Sequence, residues 1–400
     1  MTKIALTPLA ESLPSTVPFV GPETQERAMK KGFLARLGAN ESLFGPSPQA
    51  ITAMEQAASE VWKYGDPENY ELRQALALHH GIDPGHIIIG EGIDGLLSYL
   101  ARLIVEPGTS VVTSKGSYPT FNFHVSGFGG TLHMVPFKED HEDPSALIVK
   151  AREVGAKMVY FSNPDNPMGS WHSAGAVQGL MDALPKTTLL VLDEAYVELA
   201  PPGTAPELRP ETENVIRMRT FSKAYGMAGA RLGYAIGPKS LITAFDKVRN
   251  HFGVSRISQA GALAALADQS YLNSVLEKVA QSRQQINEIA MANGLRALPS
   301  ATNFVTIDCG GGGEFARAVL SHLVSNGIFI RMPAVPPMDR CICLSSWTIL
   351  YRPSASTLSN RNTISKLINP PITAMNVSNG IILGTQMLAS RKVVRPFQRV

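Results

Sequence analysis

The residues of this chain that could do chemistry fall in four short segments. In TFSKAYGMAGARLGY, residues 220–234, Lys223 follows a strand-like run and two hydroxyls, and Arg231 comes eight positions later. Such a loop can hold a phosphate, with Ser222 and main-chain N–H groups donating to it and the Arg231 guanidinium gripping it with two parallel bonds. Lys223 then stays free as an amine able to form an imine, provided desolvation or a neighbouring cation lowers its pKa. In LLVLDEAYVE, Asp193 ends an apolar run and Tyr196 follows three residues on. A carboxylate there can keep a ring nitrogen protonated and so make a heteroaromatic ring an electron sink, while Tyr196 donates to a ring oxygen. FSNPDNPMGSW is dense in turn formers, and its Asn166 amide offers a second donor to that oxygen. In GEGIDGLL, Gly92, Ile93 and Asp94 open a helix whose first N–H groups favour an anion. Taken singly these are a surface lysine, a helix cap, a turn and a structural glycine. Taken together, each supplies a different atom of one ligand with a partner.

Such groups need a scaffold that brings loop ends together. The apolar runs at 86–89, 110–113, 157–161, 189–192 and 215–218 predict buried strands. Helical patterns at 45–62, 95–105, 144–155 and 176–184 surround and separate them, and the alternation predicts an α/β fold with a mostly parallel sheet sandwiched by helices. Ligands of such sheets sit beyond the carboxyl ends of the strands. One long helix is predicted over 259–293. Strands at 303–307 and 328–331 with a helix at 314–325 between them then predict a βαβ-like unit fit for a smaller domain. At 400 residues the chain exceeds what one core usually serves, roughly 250–300 residues. The expected organisation is an N-terminal arm over 1–45, a large domain over 46–255, a smaller α/β C-terminal domain over 256–342, and a tail over 343–400.

The four segments, in this order, resemble the fold-type I aminotransferases of class I/II that use pyridoxal 5′-phosphate, and most closely the histidinol-phosphate aminotransferase-like branch. The resemblance runs from about Leu37 to Ile342. It implies that Lys223 carries the cofactor, that Asp193 meets the pyridine nitrogen, and that Tyr196 and Asn166 meet the phenolic oxygen. It further implies that Ser222, Arg231 and the helix start at Gly92, Ile93 and Asp94 hold the phosphate. By the same resemblance, Tyr118 of SYPTF stacks on the ring, and Tyr64 of WKYGDPENYELRQALA reaches the phosphate of a neighbouring subunit in a homodimer. Asn40 of GANESLFGPSP and Arg331 of IFIR are the expected substrate contacts. The implied reaction moves an amino group from an amino acid or an amino alcohol phosphate to a 2-oxo acid. A decarboxylase or lyase of the same fold, or a catalytically impaired paralogue, are the alternatives.

Two departures from the family pattern coincide. RCICLSSW has Cys343 where the family carries an arginine for the substrate carboxylate, and a thiol cannot replace a guanidinium fork. From that same position to Val400 there is no Asp or Glu but seven Lys or Arg, which suggests a change of frame or splice boundary near Ile342. The net charge of +3 therefore leaves the first 342 residues slightly acidic, and no nucleic-acid surface is expected. Only three cysteines occur, Cys309, Cys341 and Cys343, in no metal-ligand spacing, which fits a reducing, cytoplasmic setting. No apolar run approaches the ~20 residues of a membrane helix. No G-x-G-x-x-G opens a helix after a strand, which argues against a dinucleotide site.

Overall fold

A computed structural model describes residues 4–15 and 20–345. The chain opens with α1 (Pro8–Ser12), α2 (Pro22–Met29) and the short β1 (Ala35–Arg36), followed by α3 (Pro48–Ala58) and α4 (Tyr70–His80). Then β2 (Ile87–Gly90), α5 (Gly92–Ile104), β3 (Ser110–Ser114), α6 (Pro119–Gly127), β4 (Thr131–Val135), α7 (Pro144–Glu153), β5 (Met158–Ser162), α8 (Ala174–Ala183) and β6 (Leu189–Asp193) alternate. β7 (Val215–Thr220) and β8 (Gly233–Ile236) complete one seven-stranded sheet, in the order β2-β8-β7-β6-β5-β3-β4. Only β8 runs against its neighbours. All five residues of both β5 and β6 are buried, as expected of strands covered by helices on both faces.

The predicted helix over 259–293 is two helices. After α9 (Lys239–Ala244), α10 spans Arg256–Ala267 and α11 spans Gln269–Ala292. Asp268 breaks the run because its carboxylate accepts the Tyr271 N–H at 3.1 Å and caps the second helix.

The βαβ unit expected at 303–331 does not form as such. β10 (Phe304–Asp308) lies between β9 (Arg296–Ala297) and β12 (Cys341–Ser345), antiparallel to both, with α12 (Gly312–Ser325) packed against β12. The strand expected after α12 is β11 (Ile328–Phe329), and it pairs in parallel with β1. The N-terminal arm thus adds its own strand edge to the C-terminal part, and Ser345 N–H donates back to the Leu37 carbonyl at 2.9 Å.

The boundary expected at 342/343 falls inside β12. Cys343 and Leu344 sit opposite Thr306 and Val305 with full register, because the alternation Ile342, Leu344 continues the apolar face into the core. Residues 346–400 of the basic tail lie outside the described residues. Among the described residues, no helix is long and apolar enough to cross a membrane.

Candidate active site

Parallel strands that end together present their last residues at one edge. Ser162, Asp193 and Thr220 close β5, β6 and β7, and all three line a cavity of about 240 Å³. The same cavity is lined by Ile93, Asp94, Tyr118, Asn166, Tyr196, Ser222, Lys223 and Arg231. The four segments, whose lining residues run from Ile93 to Arg231, 138 positions apart, therefore converge on one hollow beyond the strands' carboxyl ends.

One end of the cavity is built for an anion. Gly92 opens α5 with φ +77, and a Cβ placed on it would come within 2.7 Å of Arg231 Nη2. The guanidinium is thus laid directly over the helix start. Ser222 is buried, and its hydroxyl lies 2.9 Å from that of Thr220, whose proton reaches the Leu232 carbonyl at 3.1 Å. Asp94 turns its carboxylate to His124 Nε2 at 2.8 Å.

Asp193 also lines the cavity, buried, with its pKa raised by burial against the pull of Tyr160, the Ala195 N–H and Lys223. Tyr160 Oη donates to Asp193 Oδ2 at 2.6 Å, and the Ala195 N–H donates to Oδ1 at 2.9 Å. Both carboxylate oxygens are held, which fixes the plane of the group. Tyr160 was not among the expected site residues. The signal for it is the period of two in β5: it shares a face with Ser162, which sits opposite Asp193.

Lys223 is partly buried, with its ammonium 3.1 Å from the Asn40 carbonyl and 5.3 Å from the centre of the Tyr196 ring. Burial, then the nearby Arg331 and Arg231 guanidinium groups, lower its pKa to about 8, against Glu41 and Asp193. The Tyr196 hydroxyl accepts from Asn40 Nδ2 at 3.3 Å and is pushed up to about 12 by burial. Asn166 Oδ1 accepts from Arg331 Nη2 at 3.0 Å, and the amide's own donors make no bond among the described residues. Tyr118, beside the cavity at the start of α6, is also pushed up to about 12 by burial.

Four expected residues do not line the cavity: Gly92, which lies under Arg231, Arg331, which binds Asn166, and Tyr64 and Asn40. Tyr64 lies outside the cavity of its own chain, 77% exposed, its ring 4.8 Å from that of Phe252. Asn40 spends its hydrogen bonds on protein groups: its amide on Tyr196 and its carbonyl on Lys223 and Asn303. Cys343 is buried, with Sγ 3.3 Å from Thr306 Oγ1 and 3.4 Å from the Pro167 carbonyl, and it pairs across an antiparallel bridge with Arg331.

The donor set fits a flat, phosphorylated, heteroaromatic aldehyde. It offers a guanidinium and a helix start for the phosphate, a carboxylate for a ring nitrogen, hydroxyl and amide donors for a ring oxygen, and an amine of lowered pKa.

Comparison with known proteins points the same way. The family described as aminotransferase class I and II matches residues 34–345. Histidinol-phosphate aminotransferase 1 of Mesorhizobium japonicum is 36% identical over 74% of this chain and 82% of its own length. The crystal structure of histidinol-phosphate aminotransferase from Sinorhizobium meliloti, in complex with pyridoxal-5′-phosphate, is 51% identical. It covers 94% of this chain and 99% of that one at a TM-score of 0.86. Aspartate aminotransferase from Thermus thermophilus with maleate shares the fold, at 22% identity over 92% of this chain and 100% of that one, with a TM-score of 0.75.

Proposed function

The chain belongs to the class I and II aminotransferases, enzymes that work with pyridoxal 5′-phosphate, and from that premise we propose that it transfers the amino group of an amino alcohol phosphate of the histidinol phosphate kind to a 2-oxo acid. The observation that carries this reading is the convergence of Lys223, Asp193, Tyr196, Asn166 and Arg231 on one cavity. When bound, the cofactor supplies an aldehyde carbon that captures an amine and a ring that withdraws electrons from it.

The roles of this chain's residues follow from their surroundings. Arg231, Ser222 and the N–H groups at Gly92, Ile93 and Asp94 hold the phosphate. Asp193, with both oxygens engaged and its charged form disfavoured by burial, would gain from a cationic partner and so would keep a ring nitrogen protonated. Tyr196 and the free donors of Asn166 would hold the ring oxygen, and Tyr118, on the cavity wall, would lie against the ring. With a pKa near 8, part of Lys223 is neutral at physiological pH, so Nζ can attack as a nucleophile and then take up and return the proton at the substrate's Cα.

Arg331, bonded to Asn166 beside Lys223, is the guanidinium placed to hold the substrate's anion, since the buried Cys343 thiol offers no fork. The names of the relatives favour transamination over decarboxylation and favour a phosphorylated donor. The working form on this reading is a homodimer in which Tyr64 serves the second subunit; its exposure, with the ring beside Phe252, leaves it free for that role. The three cysteines are free and buried, in keeping with a cytoplasmic setting.

Purified protein mixed with pyridoxal 5′-phosphate should show a visible absorption band that Lys223→Ala abolishes. Turnover of histidinol phosphate with 2-oxoglutarate should exceed that of unphosphorylated histidinol at least tenfold. A colourless wild type refutes the roles assigned to the site. Equal turnover of the two donors refutes the phosphorylated substrate, and release of CO₂ without an oxo product refutes transamination.

A further inference from the structure

The Lys223 ammonium has one hydrogen-bond acceptor among the described residues, the main-chain carbonyl of Asn40. Asn40 is 2% exposed and has φ +56, a left-handed conformation that asparagine adopts more readily than other non-glycine residues. Two contacts hold it there. The side-chain amide is tied to Tyr196, and the carbonyl accepts a second bond, from Asn303 Nδ2 at 3.0 Å. Two residues upstream, Gly38 lies so close to the main chain at Ile330 that a Cβ there would stand 2.8 Å from its carbonyl carbon.

Asn303 is itself held by a turn with no other evident task. Ser300 Oγ and Thr302 Oγ1 both donate to the Phe304 carbonyl, at 2.5 and 3.0 Å. Arg283 binds the Ser300 carbonyl at 2.9 Å and reaches the Leu199 carbonyl at 3.2 Å. The Ala301 N–H donates to the Gly169 carbonyl at 2.9 Å, tying the turn to the loop of Asn166. Asn303 is 3% exposed, and its Oδ1 has no partner among the described residues. A buried amide that leaves its acceptor unsatisfied is retained for its N–H, because the reverse rotamer would set two carbonyl oxygens against each other.

We propose that Asn303 is a positioning residue for Lys223, whose amide N–H holds the Asn40 carbonyl at the lysine ammonium. The turn before β10 thereby sets how the reactive amine is anchored, although none of its residues lines the cavity. This rests on Lys223 as the reactive amine. The charged groups facing that amine are Arg331, Glu41, Asp193 and Arg231, and none of them changes when Asn303 is replaced.

The test is competitive acetylation of Lys223 with acetic anhydride across pH in the cofactor-free full chain, read by mass spectrometry. Asn303→Leu keeps the branched outline of the side chain and removes the donor. The carbonyl is released, the ammonium loses its acceptor, and the labelling midpoint falls by about one pH unit. Asn303→Ser, too short to reach Asn40, shifts the midpoint the same way and serves if the Leu variant does not fold. Asn303→Asp keeps the shape but brings a carboxylate to the Asn40 carbonyl, and the midpoint rises above that of the wild type. Simple loosening of the site would expose the lysine and raise the midpoint in every variant. Midpoints that do not move, or that rise in all three, overturn the proposal. The visible band of the wild type with pyridoxal 5′-phosphate reports separately on Lys223 as the cofactor residue. A band present with unmoved midpoints refutes the role of Asn303 alone.

Discussion

Replacing Gly92 by alanine perturbs the anion end of the cavity in two separable ways. The residue has φ +77, so any side chain costs stability on backbone grounds, about 1 kcal/mol for alanine. The new Cβ would also stand 2.7 Å from Arg231 Nη2 and 3.2 Å from its guanidinium carbon. That end of the arginine is flexible, so it withdraws by roughly an ångström to ordinary contact rather than straining the fold. Withdrawal takes it from above the helix start, where it would meet a phosphate. Loss of one hydrogen bond between charged groups amounts to about 1.5–3 kcal/mol, or roughly a 10- to 150-fold rise in the Kd for pyridoxal 5′-phosphate. Arg231→Ala removes the same group, so the double variant should bind hardly worse than Arg231→Ala alone, while the stability losses add. Titration of the cofactor-free proteins by absorbance gives the affinities, and calorimetry gives the Tm values. Unchanged affinity in Gly92→Ala, or affinity losses that add in full, would refute the placing of Arg231 over the helix start.

Three further outcomes are expected. Glu194, 1% exposed at the side chain, binds the buried Arg217 at 2.5 Å and the partly buried Arg219 at 2.9 Å, so Glu194→Ala leaves both guanidinium charges without their carboxylate. It should lower the unfolding free energy in urea by about 3–5 kcal/mol, and a loss below 1 kcal/mol would show that the triad is not a buried ion cluster. Glu142, buried under the Asn166 loop with Ser114 Oγ at 2.7 Å, is pushed up to about 8 by burial and by Asp165. Its raised pKa gives stability that is complete below the unfolded value near 4.5 and declines as pH rises through 8. Glu142→Gln should therefore flatten the fall in Tm over that window, and an unchanged slope would refute the assignment. Mixing inactive Lys223→Ala with inactive Tyr64→Ala and exchanging subunits should restore part of the activity, because the mixed dimer contains one intact site. No recovery after exchange would show that Tyr64 does not serve a partner's site.

The sequence by itself carried the chemistry of the four segments, because each is local. A lysine next to a phosphate-fit loop, a carboxylate at the end of LLVLD and an amide in an NP turn are set within ten or so residues, and hydrophobic runs located the strands that end beside them. The period of two in those strands also held the position of Tyr160, though only pairing with β6 showed that its hydroxyl meets Asp193. The break at Asp268 was written as a capping residue inside a helical pattern, where competition between cap and helix interior is not resolved by pattern alone. Tertiary structure decided what depends on distant pairs. Asn303 reaches Asn40 across 263 positions, and β11 finds its partner in β1 rather than in the strand before it. Cys343 stays in register to Ser345 despite its unusual sequence, since β-pairing uses main-chain groups that every residue carries and alternation needs only apolar side chains on one face. Local propensity fixes which residues can do chemistry. Which of them meet, and at what distance, is a property of the packed whole, where a single carbonyl such as that of Asn40 can be aimed by residues from three separate stretches of chain.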